Sequence, residues 1–182
     1  MKTPSTIMAF LVCFVVVGAA QESGSTNPAP EQTQYRESKL LPNPAFDRLK
    51  TLAGEWEGTY GGKQPARASF KVMGAGSSLL QILPGDTPGD EMVSVFHPDK
   101  TDLLLTHYCS PKNAPRMKLQ PSNDPNTLRF TFLDITNQTS ADDGHMQEVA
   151  IIFQGNDRHT EEWTWIQGGM RETGKFEFTR KK

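Results

Sequence analysis

The chain has 182 residues, with 19 Lys plus Arg against 21 Asp plus Glu, two Cys, 15 Gly and 13 Pro, which suits one globular domain of ordinary charge. That composition excludes a collagen-like repeat, a solenoid array and a strongly basic nucleic-acid binder, so no nucleic acid is expected as a partner.

Lys2 is followed by an apolar run over residues 7–17 and then by Gly18, Ala19 and Ala20, the order of a secretory signal peptide with cleavage after Ala20. The apolar run extends over only fourteen residues, 7–20, whereas about 18 are needed to cross the hydrocarbon. A signal peptide over 1–20, a secreted or periplasmic destination and no membrane span after cleavage are therefore expected. Cys13 lies inside the run after Leu11 and Val12, which speaks against acylation. Cleavage would remove Lys2 and leave 18 basic against 21 acidic residues, a net charge of −3. Residues 21–43 are rich in Ser, Thr, Asn, Gln, Glu and Pro and read as a flexible polar linker. The domain is expected over 44–182, long enough to bury a core without disulfides. Only Cys109 would survive in it, so neither an intrachain bridge nor a zinc site built on paired thiolates is expected.

Phe46, Leu49 and Leu52 are spaced by three, which predicts a short helical turn at the start of the domain. From there the apolar period is two. Trp56, Gly58 and Tyr60 share one parity, and Ala66, Ala68, Phe70 and Val72 another, with Gly61 and Gly62 between them as a turn. Further strands are expected at 77–83, 91–97, 102–110, 116–120, 127–135, 145–154, 160–167 and 175–180. Pro, Gly, Asn and Asp occupy the intervals, including a Pro-rich link at 111–115. About ten short strands with hairpin-length links predict an all-β fold, an antiparallel up-and-down barrel whose closure removes the exposed edges. A two-sheet Greek-key sandwich is the alternative. A barrel of that strand number keeps room for a ligand unless bulky side chains fill it.

The stretch 46–59, with Gly54 and Trp56 at its centre, resembles the opening of a lipocalin or calycin barrel, in which a short helical turn leads into Gly-x-Trp on the first strand. The resemblance implies that a late Arg packs over this Trp and closes the barrel end, which points to Arg180, with Arg171 as the alternative. Fatty-acid-binding proteins share this architecture and hold a ligand carboxylate with inward Arg residues, which gives Arg180 a second, ligand-binding reading. The chain is also similar to secreted bacterial domains of this shape with no assigned activity. The haem-binding nitrobindin branch begins in the same way; it makes haem the one cofactor the resemblance allows, with no position fixed for its axial ligand and His159 as the one candidate named. Otherwise no cofactor is implied. By its chemistry, Trp56 is first a structural plug and only second a ligand contact.

The densest polar cluster runs over 106–116 and contains His107, Cys109 and Arg116. Leu103, Leu105, His107 and Cys109 share one strand face. They admit a two-ligand start of a metal site needing His97, His145 or His159 from elsewhere, a Cys–His nucleophile pair, or a core cysteine beside a histidine that anchors a ligand. Trp163 and Trp165 share parity with Glu161 and, next to Phe176 and Phe178, form either core packing or a cavity wall. Glu161 and Glu162 face opposite ways and read as solvated charge with one rim contact. Asn137, Gln138 and Thr139 form a glycosylation sequon. No P-loop, dinucleotide fingerprint or Gly-x-Ser-x-Gly elbow occurs.

These features favour a non-enzymatic barrel for a small apolar or amphipathic molecule, with no catalytic or metal residue assigned. Trp56, His107, Cys109, Arg116, Trp163, Trp165 and Arg180 are its candidate contacts. A filled barrel serving as a protein-interaction or inhibitor module, and a Cys/His-dependent enzyme, are the alternatives.

Overall fold

The computed structural model describes residues 36–182. The expected signal peptide and most of the linker, residues 1–35, lie outside the described residues. Residues 36–42 have no regular secondary structure and are exposed.

The helix α1, Pro44–Lys50, begins where the sequence supplies both a cap and a start: the Asn43 side chain accepts from the Phe46 amide at 3.0 Å, and Pro44 needs no donor of its own. The spacing of three turns Phe46 and Leu49 to one buried face, and Leu52, just beyond the helix, is buried with them. Asn43 Nδ2 also donates to the Asp102 carbonyl at 3.3 Å, tying the helix to the barrel.

Ten strands follow: β1 Gly54–Tyr60, β2 Gln64–Met73, β3 Ser78–Leu83, β4 Met92–Asp99, β5 Asp102–Tyr108, β6 Ala114–Gln120, β7 Thr127–Thr136, β8 His145–Phe153, β9 Arg158–Gln167 and β10 Met170–Arg180. Each pairs antiparallel with its sequence neighbour, and β1 pairs with β10, so the sheet is a closed barrel. The seam sets Trp56 opposite Arg180 and Gly58 opposite Phe178. Gly58 is required there by space alone, since a Cβ would collide with the Glu177 carbonyl. Full closure replaces the sandwich alternative.

Several strand boundaries differ from the sequence reading, most by one or two residues, and three of the differences bear on the site. Strand β10 starts five residues earlier than expected, at Met170 rather than 175, because Gly168 and Gly169 both take positive φ and make a two-residue turn that sets Met170 opposite Gln167. The segment 170–174, in which Met170 is the one apolar side chain, masked this extension. Strand β5 ends at Tyr108, which leaves Cys109 in the following loop. Strand β6 begins at Ala114 and takes Pro115 out of the expected Pro-rich link; Pro115 sits opposite Ile135, next to a register shift between Arg116 and Met117, where a strand tolerates a missing donor.

The interior is unevenly filled. Near α1, Trp56, Phe70, Phe96, Phe130 and Met117 pack with the helix residues into one buried cluster. Toward the end formed by the β1–β2, β3–β4 and β9–β10 turns, the core gives way to a cavity.

Candidate functional site

The cavity has a volume of about 710 Å³, inside the range of small-molecule sites, about 300–1,000 Å³. Strand alternation decides its lining. On β9, Glu161, Trp163 and Trp165 share the inward face; the two indoles line the cavity while Glu161 lies deeper. On β10, the same parity brings Phe176 and Glu172 to it, with Gly174 between them. Tyr60 from β1 packs against Phe176 in a tilted pair with ring centroids 4.8 Å apart, and Leu83, Met92 and Met146 add aliphatic wall. Gly144 makes room for Trp165, because a side chain there would run into the indole ring.

His107 closes the inward stripe of β5, as its parity with Leu103 and Leu105 predicts. It is 1% exposed and lies beside Trp163, with ring centroids 4.5 Å apart. Its Nδ1 shares a hydrogen bond of 2.9 Å with Ser94 Oγ. Its Nε2 is buried with no hydrogen-bond partner, and the residue borders the cavity. Burial pushes the imidazole down from its ordinary 6.5 to about 4, against a smaller upward pull from the Glu161 carboxylate, so the ring is neutral at physiological pH.

Beneath the cavity lies a polar cluster centred on Glu161, a residue the sequence reading gave as solvated charge or a rim contact. Glu161 is fully buried. Its carboxylate accepts from Gln81 Nε2 at 2.8 and 2.9 Å, from His159 Nε2 at 3.0 Å and from Trp163 Nε1 at 2.9 Å. These bonds fix the Trp163 ring against which His107 rests. The reading of Glu161 as solvated charge is therefore corrected: the parity it shares with Trp163 and Trp165 outweighs its charge, because three donors meet it inside the barrel. Gln81 carried the same signal, a polar residue between Leu79 and Leu83 on an otherwise apolar face, as did Ser94 between Met92 and Phe96.

Of the seven sequence-predicted contacts, His107, Trp163 and Trp165 meet at the cavity, and the other four lie elsewhere. Trp56 is buried at the α1 end and donates to the Leu52 carbonyl at 2.8 Å. Arg180 covers it there, its guanidinium 4.3 Å from the indole centroid, with Nη1 donating to the Ala53 carbonyl at 2.9 Å and Nη2 to that of Thr51 at 2.7 Å. That is the closing arrangement the resemblance implied, and it directs the guanidinium to backbone carbonyls at the end away from the cavity. Arg116 faces solvent, held by Asp134. Cys109, beyond the end of β5, is pushed up to about 11 by burial, the opposite of what activates a nucleophile.

His159 does not fit a haem. Its ring packs against Trp56 at 4.3 Å and Phe178 at 5.1 Å, its Nε2 is taken by Glu161, and it does not border the cavity. Among the described residues, no group of three or more His, Cys, Asp or Glu side chains is placed to hold a metal ion, and no helix is long and apolar enough to cross a membrane.

Comparison with solved structures finds similar barrels. Among them is the crystal structure of Rv2717c from M. tuberculosis, at 13% sequence identity and a TM-score of 0.53, covering 79% of this chain and 100% of that one. The likeness is one of fold. No family model matches the sequence, and no curated protein does.

Proposed function

We propose that the protein is a secreted or periplasmic, non-enzymatic carrier that holds one small apolar or amphipathic molecule in the open end of a lipocalin- or calycin-like barrel. The observation that carries this reading is the half-filled interior: a 710 Å³ cavity with an aromatic wall, at whose edge a buried imidazole nitrogen has no partner. A buried polar atom left unpaired costs about 1–3 kcal/mol, so a ligand that hydrogen-bonds His107 Nε2 recovers stability while covering Trp163, Trp165 and Phe176. The interaction-module alternative called for a filled barrel, and the Cys/His enzyme called for an activated thiol; neither has comparable support.

Titration with 1-aminoanthracene, a planar fluorescent probe, tests the reading. One probe per chain is expected, with enhanced emission and quenching of the protein's Trp fluorescence. Ala66→Phe, which places a ring on an inward position of the cavity wall, should abolish binding while the thermal transition stays cooperative. Failure of the probe to bind, or equal binding by the folded variant, would contradict it.

A further inference from the structure

Two of the three charged residues that line the cavity are acidic. Two carboxylates border its mouth: Asp86 on the β3–β4 loop and Glu172 on the inward face of β10, directly opposite Trp165 across the strand pair. The one cation among the lining residues, Arg67, belongs to the outward parity of β2, between the inward Ala66 and Ala68 and opposite Glu57 on β1. The neighbouring cations of β10 are engaged outside the barrel, Arg171 by Glu148 and Lys175 by Glu177. Arg180, the residue that would serve a fatty-acid carboxylate, is fixed on backbone carbonyls at the opposite end.

We infer that the cavity selects an amphiphile with a cationic amine head over one with a carboxylate head. This rests on the carrier reading and names the ligand's chemistry. Four aromatic side chains, Tyr60, Trp163, Trp165 and Phe176, line the space, and aromatic rings attract an ammonium. Glu172 and Asp86 add a favourable field at the entrance. His107 carries no charge to repel the cation, and in the tautomer whose Nδ1–H donates to Ser94 Oγ, its Nε2 accepts a hydrogen bond from an N–H donor. A carboxylate in the same place would meet two like charges and no inward cation, with only the neutral Nε2–H of His107 in its other tautomer to replace its water.

Isothermal titration calorimetry of the full chain at pH 7 with octylamine, 1-octanol and octanoate, which share one tail, separates head from tail. Octylammonium is expected to bind at least tenfold more tightly than octanoate, with octanol between them. Glu172→Gln should shrink the amine-to-carboxylate ratio by threefold or more. Octanoate binding as well as or better than octylammonium would overturn the inference and leave the carrier reading standing. Absence of binding by all three would remove both.

Discussion

His107 is the residue on which most of the site's chemistry converges, and its burial has a consequence for stability. Above its ordinary pKa of 6.5 the ring is neutral in the folded and unfolded chain alike. As the pH falls from 6.5 toward about 4, the unfolded chain takes up a proton that the folded one refuses, so acid removes stability through that window, by up to about 3 kcal/mol. Below about 4 the loss is complete. Urea unfolding at pH 7 and pH 4.5 should show a steeper decline for the native chain than for His107→Phe, which lacks the titrating group; parallel declines would contradict the burial. Cys109 gives a second check at this scale. With its thiol pushed from 9.0 to about 11, its thiolate fraction at neutral pH is about a hundredfold below that of an unperturbed thiol. Iodoacetamide should modify it slowly in the folded protein and rapidly in urea, whereas fast native labelling would revive the nucleophile reading. His107 was legible in the sequence because it continued an apolar stripe. Glu161 carried the same mark of parity, but nothing in a single sequence shows that Gln81, His159 and Trp163 converge on it, because their pairing depends on which strands lie across the interior.

Among the elements, the seam between β1 and β10 decides whether the sheet is a barrel. Arg180 latches it by stacking on Trp56 and bonding the carbonyls of Thr51, Ala53 and, at 3.2 Å from Nε, Asn156. Arg180→Ala removes the stack and the hydrogen bonds together and should lower the unfolding free energy by about 2–3 kcal/mol. Arg180→Lys should recover less than half, since an ammonium cannot match a planar fork of donors. Chemical denaturation of the three proteins measures this, and an unchanged midpoint in Arg180→Ala would show the latch to be ornamental. The Trp56–Arg180 pairing was legible through the resemblance of residues 46–59, which left Arg171 as the alternative. The full length of β10 was not, because its first five residues are polar, exposed or glycine and only the two-residue turn before them fixes their register. Likewise, Pro115 reads as a loop residue in sequence, and only the bulge beside it makes a strand position possible.

For the whole molecule, ten alternating strands and their short links were enough to indicate a closed antiparallel barrel, because hydrophobic period and turn chemistry are local properties. How far the interior is filled is not local. It depends on aromatic residues from β1, β2, β4 and β7 meeting at one end and leaving the other to the rings of Trp163, Trp165 and Phe176. Native mass spectrometry of the protein purified from its producing host decides whether the barrel is half-filled. One small passenger per chain is expected, released on denaturation and missing from Ala66→Phe. A bare chain mass, with nothing recovered by organic extraction of the native protein, would contradict it.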